Sequence, residues 1–253
     1  MKPYYQDERV TLYHGDALAI LPQLEAGAAQ AVLTDPPYSS GGMVRGDRMA
    51  STQSKYVQTD SMSGKQLNSF SGDNRDQRAF LLWSNLWISS ALKVVTEGAI
   101  IGSFTDWRQL PTMTDALQIG GAVWRGVVPW HKPNGRNTQG RFANNCEYFV
   151  WGTNGPRTRE LDQQSETLGG FWQENTPRER VHQTQKPIAL MQWLARCVLL
   201  GETILDPFAG SGSTLIAASA IGRKSIGVEL DERNCEIIAK RLSQENFDFG
   251  ALA

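Results

Sequence analysis

The sequence predicts an α/β fold of the Rossmann kind, a seven-stranded, mostly parallel sheet with one antiparallel hairpin. Three observations predict it. An apolar strand at residues 30–34 stops abruptly at Asp35-Pro36-Pro37-Tyr38. A second, Thr203-Ile204-Leu205, runs into the glycine-rich turn Asp206-Pro207-Phe208-Ala209-Gly210-Ser211-Gly212 and then a helix. Elsewhere, short strand patterns alternate with amphipathic helix patterns.

Taken in order, Val10–Tyr13 reads as the first strand, and Asp16 as the N-cap of a short helix from Ala17 to Leu24. The strand over 30–34 follows. Residues 39–75 are rich in Ser and Gly and poor in large apolar side chains, so they read as a mobile loop placed like a lid over the turn. Apolar positions from Phe80 to Val95 fit a helix over 76–95, and Ala99–Phe104 a strand. A helix over 107–119 leads to a strand from Ala122 to Trp130, with Tyr148–Trp151 as its antiparallel partner. Lys186-Pro187 opens a helix whose apolar face runs to Leu199, Pro standing where the first turn tolerates it. After Thr203–Leu205 come a helix from Leu215 to Ile221, a strand Ser225–Val228 ending at Glu229, and a last helix from Asp231 to about Leu242. The chain thus divides into a half with the Pro-Pro turn (1–130), a hairpin with an insertion (131–181) and a glycine-turn half (182–253), all within one domain.

Bulk composition excludes several classes. A net charge of −1 gives no global attraction to nucleic acid or membranes. Three scattered cysteines and three scattered histidines predict neither a disulfide framework nor a metal site. The N-terminus lacks an apolar signal region and the chain lacks an 18-residue apolar run, so no membrane partner and a cytoplasmic location are expected. Charge is uneven, however. Between Trp124 and Arg159, six cations (Arg125, Lys132, Arg136, Arg141, Arg157, Arg159) face one acid, Glu147. Interleaved with Asn, Gln, Trp130 and Phe142, they resemble a nucleic-acid face.

The Asp-Pro-Pro-Tyr turn is rigid, because two successive prolines cannot feed a sheet ladder. It presents a carboxylate and a ring at a strand's carboxyl end, where open α/β sheets bind ligands. In the second turn, Gly210 and Gly212 let the backbone approach a ligand closely. Leu215 stands where a dinucleotide fingerprint wants its third glycine. Glu229, 19 residues after Gly210, is placed to accept hydrogen bonds from both ribose hydroxyls. A ligand with an adenosine-type ribose is expected, which need not carry a pyrophosphate, and S-adenosylmethionine fits.

Together, Asp35-Pro36-Pro37-Tyr38 and Asp206-Pro207-Phe208-Ala209-Gly210-Ser211-Gly212 resemble the amino-methylating DNA methyltransferases. The glycine turn follows the Pro-Pro turn by about 170 residues, and this permuted order is like that of the β group of N6-adenine and N4-cytosine enzymes. Gly140–Tyr148 resembles a stretch of phage and prophage members, and His182-Gln183-Thr184-Gln185-Lys186-Pro187 the block before the cofactor helix, with Gln183 in place of a usual Pro. The resemblance implies the class I S-adenosylmethionine-dependent methyltransferase fold and an adenine-specific DNA methyltransferase.

It implies Asp35, Pro36 and Tyr38 as catalytic residues. Asp16, Ala17, Asp35, Lys186, Asp206, Phe208, Gly210, Gly212, Thr214 and Glu229 are the implied cofactor contacts, Asp16 through the adenine amino group. Ser39, Lys132, Arg136, Arg141 and Phe142 are implied to meet double-stranded DNA. A homodimer is expected as well. N4-cytosine methylation is the nearest alternative, although cytosine enzymes more often carry Ser where Asp35 stands. A protein glutamine methyltransferase and a non-catalytic methyltransferase-like subunit are the further ones.

Overall fold

The structure, a computed structural model, describes residues 1–38, 75–135, 139–140, 142–177 and 185–250, the side chains of 245–250 excepted. The loop expected over 39–75 therefore lies outside the described residues, save Arg75.

The seven expected strands are β2 (Val10–His14), β3 (Ala29–Thr34), β4 (Val95–Thr105), β5 (Val123–His131), β6 (Cys146–Thr153), β8 (Thr203–Asp206) and β9 (Lys224–Glu229). Two additional strands, β1 (Tyr5–Gln6) and β7 (Trp172–Gln173), are two-residue edges. Two residues are too short to leave a periodic signal in sequence. The described strands form one nine-stranded sheet in the order β1-β2-β9-β8-β3-β4-β6-β5-β7. The run β2-β9-β8-β3-β4 is parallel throughout, and β6 pairs antiparallel with both β4 and β5.

Helices cover both faces. On one face pack α1 (Ala17–Ile20), α2 (Gln77–Val94) and α3 (Leu110–Ile119), with Trp87, Ile88, Met113 and Leu117 buried against Val32 and Ile101. A short helix, α4 (Arg159–Gln164), absent from the sequence reading, is capped by the Thr158 hydroxyl and has no buried residue. On the other face lie α5 (Ile188–Ala195), α6 (Ser213–Ala220) and α7 (Glu232–Gly250), with Leu190, Leu194 and Ala217 against Ala31 and Leu33. Alternate β3 side chains thus enter opposite cores, which is why the strand reads as a continuous apolar run. Each large side chain so buried contributes about 1.5–3 kcal/mol.

Several boundaries differ from expectation, and at three of them the physical reason is visible. Helix α3 starts three residues late, because Asp106 Oδ1 accepts from the backbone N–H of Arg108 and Gln109 in a turn and Pro111 then occupies the first helical turn. Helix α1 gives way at Leu21–Gln23 to a 3₁₀ turn containing Pro22. Helix α5 ends at Ala195, and the Glu202 carboxylate accepts the Leu199 N–H at 2.7 Å, folding the apolar tail back as a turn.

Chain direction diverges at the sheet centre. From β3 the chain moves to β4, whereas β8 leads to β9 on the other side. The crevice outside adjacent strands whose connections part in this way is where open α/β sheets bind ligands.

Candidate active site

The two turns singled out in the sequence leave the carboxyl ends of β3 and β8, neighbouring parallel strands, so they share one edge. Thr34, the last residue of β3, donates its hydroxyl to Asp206 Oδ1 at 2.6 Å. Asp206 also accepts the Phe208 N–H at 3.1 Å, so one buried carboxylate braces both turns. It is 2% exposed, and burial pushes its pKa up against the Thr214 and Thr34 hydroxyls that hold it down. Asp206 was expected as a cofactor contact; with almost no surface it acts as a brace.

Beside this brace sits a cluster of two carboxylates and two ammonium groups. Lys186 Nζ donates to Asp35 Oδ2 at 2.5 Å and lies 3.1 Å from Glu147 Oε2. Lys132 Nζ donates to Glu147 Oε1 at 2.8 Å, and the Tyr38 hydroxyl to Glu147 Oε2 at 3.2 Å. The faces of Phe104 and Tyr38 flank the Lys186 ammonium, with centroids at 4.9 and 5.8 Å. Asp35 Oδ1, by contrast, is buried without a hydrogen-bond partner among the described residues. An orphaned carboxylate oxygen is costly, so its retention points to a donor that arrives from outside.

The two carboxylates titrate in opposite directions. Burial, reinforced by Glu147 and Asp206, pushes Asp35 up to about 6 against the pull of Lys186. Burial also acts on Glu147, but there Lys186 and Lys132 outweigh it and hold the group at about 2. Lys186 is raised, since its two carboxylate neighbours outweigh its burial. One carboxylate is poised near neutrality and the other is locked as an anion, the separation expected where two acids have different tasks.

The glycine turn is built around a second carboxylate. Glu229, at the tip of β9, accepts the Gly210 N–H on Oε2 at 2.8 Å, and on Oε1 the Asp231 N–H and the Asn234 amide. A carboxylate offers about four acceptor positions. Three are filled, leaving one open on Oε2. Gly210 has φ +56° and open space where a Cβ would project, with only the Phe208 carbonyl as near as 4.0 Å. Gly212, at φ +83°, caps α6 and lies against Ile238. Phe208 is wedged between Trp83 and Trp87 of α2, with ring centroids at 5.0 and 5.4 Å. Asp16 caps α1 through the Leu18 N–H and lies two residues beyond the end of β2, where His14 pairs with Glu229.

The Asp206 bonds thus hold the start of the Asp35-Pro36-Pro37-Tyr38 turn beside the glycine turn, with Phe208, Gly210, Gly212 and Glu229 on the glycine-turn side, Ala17 in the first turn of α1 after Asp16, and Thr214 buried at the start of α6 with its hydroxyl on Asp206. Lys186, expected on the cofactor, is placed on the two carboxylates. Lys132, expected on DNA, has its ammonium in the same cluster, its side chain mostly buried. Phe142 is fully exposed. Ser39, Arg136 and Arg141 lie outside the described residues. The basic run is not one face, because Arg157 bonds Asp162 and the Gly98 carbonyl, and Arg125 bonds Thr153, at the edge opposite the crevice. Glu147 escaped the sequence reading as a site residue. Its signal was its isolation, one acid at a strand start in a cationic stretch.

A profile of the DNA methylase family, of N6 and N4 type, matches residues 29–240. The chain belongs to this family. The methylase is 26% identical over 268 residues to the type II methyltransferase M2.DpnII of Streptococcus pneumoniae, covering 97% of this chain and 94% of that protein. In fold it matches the DNA modification methylase TTHA0409 of Thermus thermophilus, solved in complex with S-adenosyl-L-methionine, with a TM-score of 0.67 at 21% identity over 94% of this chain and 95% of that one. It matches the cytosine-N4-specific PvuII DNA methyltransferase equally, with a TM-score of 0.67 at 14% identity over 91% and 85% of the two chains. The methylase thus has the α/β fold of S-adenosylmethionine-dependent DNA methyltransferases, as the motifs predicted. None of its described helices is long and apolar enough to cross a membrane.

Proposed function

We propose that this DNA methyltransferase moves a methyl group from S-adenosylmethionine to the N6 amine of an adenine turned out of double-stranded DNA. The observation that carries the reading is the buried, unpartnered Oδ1 of Asp35, next to a rigid Pro-Pro turn and a half-open glycine cradle. Asp preceding Pro-Pro-Tyr favours adenine over cytosine. The fold is shared with a cytosine-N4 enzyme and does not choose.

The residues present fit the cofactor. Gly210 leaves the space a Cβ would fill, Glu229 keeps one acceptor for a ribose hydroxyl rather than the two expected, and Phe208 offers a ring fixed by two tryptophans. Asp16 completes the set near Glu229. When bound, S-adenosylmethionine supplies an electrophilic methyl group carried on a sulfonium.

The chain's own residues then have defined work. An adenine amine is conjugated with its ring and is a poor nucleophile. Asp35 Oδ1 accepts one of its N–H groups and the Pro36 carbonyl the other, fixing the nitrogen's orientation and favouring the charge it gains as its lone pair is engaged. Such positioning is worth on the order of 7 kcal/mol of barrier. A carboxylate poised near 6 can keep the proton the nitrogen releases. Tyr38 stacks on the extruded base, helping to offset a flipping cost of roughly a few kcal/mol. Its hydroxyl bond to Glu147 holds the ring in place beforehand.

Incubation with labelled cofactor and mixed-sequence duplex DNA, followed by mass analysis of the nucleosides, tests the reading. N6-methyladenine in the wild type and none with Asp35→Ala is expected. N4-methylcytosine would overturn the base assignment, and full turnover by the variant would remove Asp35 from the chemistry.

A further inference from the structure

The polar cluster holds one group that neither the motifs nor the mechanism employs directly. Glu147 starts β6, far in sequence from both turns, yet its two oxygens receive Lys132, Lys186 and Tyr38. Two of these three partners also touch the reacting side of the crevice, Lys186 through Asp35 Oδ2 and Tyr38 through the base-stacking ring. The Lys186 ammonium sits between two carboxylates and divides its hydrogen bonds between them. Whatever strengthens one side weakens the other.

We propose that Glu147 is a positioning residue of methyl transfer, which shares the Lys186 ammonium with Asp35 and so holds it on Oδ2 and leaves Oδ1 free for the target amine. Without Glu147 the Lys186 ammonium has one carboxylate left. It would settle wholly on Asp35, occupy both oxygens and make them poorer acceptors. The inference rests on the methyl-transfer reading of Asp35 given above; its first test does not.

The charged neighbours agree on the sign of the effect. Asp35 is faced by Lys186 from the segment before α5, by Glu147 from β6 and by Asp206 from β8. Glu147 is faced by Lys186, by Lys132 at the end of β5 and by Tyr38, with Asp106 beyond β4 feeling its charge. Replacing Glu147 by neutral Gln removes an anion that raises Asp35 and leaves two cations, Lys186 and Lys132, less compensated. Both changes lower the pH at which Asp35 titrates.

The test compares the wild type with Glu147→Gln and Glu147→Asp. The first readout, made without cofactor or DNA, is the carboxyl ¹³C shift of Asp35 against pH, assigned by its loss in Asp35→Asn. A midpoint near 6 in the wild type that falls by at least one pH unit in Glu147→Gln and partly recovers in Glu147→Asp is expected. The second is single-turnover methyl transfer against pH. There the acid limb should shift downward by the same amount and the plateau should fall at least tenfold. Retained binding of S-adenosylmethionine verifies that the variants are folded. An unmoved midpoint, or an unmoved acid limb beneath a lowered plateau, would make Glu147 a structural residue and overturn the proposal. A shifted midpoint with an unchanged plateau would overturn its part in the chemistry. A wild type that methylates no DNA would instead defeat the methyl-transfer reading, with the ¹³C titration still judging the link between Glu147 and Asp35.

Discussion

Replacing Asp35 by Asn should abolish methyl transfer and at the same time stabilise the free enzyme at neutral pH. The carboxyl titrates at about 6 in the fold against 3.8 in a solvated chain. A carboxyl raised in the folded state binds protons more tightly there. Its stabilising protonated form is fully present below pH 3.8 and is lost as pH rises through 6. Above pH 6 the wild type therefore carries a penalty, which at about 1.36 kcal/mol per pH unit comes to about 3 kcal/mol. The side chain is 20% exposed, so solvent screening reduces this to between about 1 and 3 kcal/mol. Asparagine mimics the protonated acid in shape and charge, offers Lys186 an amide oxygen, and leaves Glu147 as the counter-ion. Urea unfolding at pH 8 should show the variant more stable by that margin, and its melting temperature should rise by about 2–6 °C. The gap should close as pH falls from 6 to 4. A variant less stable than the wild type at pH 8, or a gap independent of pH, would refute the claim that Asp35 is ionised at a cost to the fold.

Three further outcomes are expected. The single-turnover rate of the wild type should fall as pH drops through about 6 and level off above 7, since only ionised Asp35 accepts the amine; a flat profile from pH 5 to 8 would separate its ionisation from the chemistry. Gly212→Ala places a Cβ at φ +83° and 2.9 Å from Ile238, so it should cost about 1–2 kcal/mol in urea unfolding and weaken S-adenosylmethionine at least tenfold by calorimetry. Phe142→Ala removes a fully exposed ring on the segment leading to Glu147, and should lower DNA affinity severalfold in a gel-shift titration while leaving cofactor affinity unchanged.

The sequence made legible what local patterns encode. The Pro-Pro turn, the glycine turn and the seven main strands each announce themselves within about ten residues, through periodicity, proline and glycine. Asp16 could be read as a cap because the helix begins beside it, and the structure has its side chain on the Leu18 N–H. What escaped depends on pairing across the sheet. Lys132 and Arg157 look alike in a basic run, yet one meets Glu147 beside the crevice and the other the Gly98 carbonyl at the opposite edge. Strand direction decides between these ends, and β6 reverses it between the two residues. Glu147 stood out in sequence as the one acid of that run, but its place in the site was hidden for the same reason. Its partners stand 109 and 15 residues away for Tyr38 and Lys132, and no short window contains them.

The permuted motif order also acquires a physical sense. A site formed at the carboxyl ends of neighbouring parallel strands needs only that the strands be neighbours. It is indifferent to which was made first or to the separation of 172 positions from Thr34 to Asp206. The cost falls on assembly. Asp35 follows β3, the first of the sheet's central strands in the chain, but the lysine that compensates it and the aspartate that braces its neighbour Thr34 come from the last third of the chain. Until those residues dock, a carboxylate would be buried without a counter-ion, which is expensive. The Pro-Pro turn therefore gains the counter-ion and the brace of its carboxylate only when the glycine-turn half joins the sheet. The side-chain bonds that close this site thus lie at the end of the β3–β8 pairing that joins the two halves of the sheet.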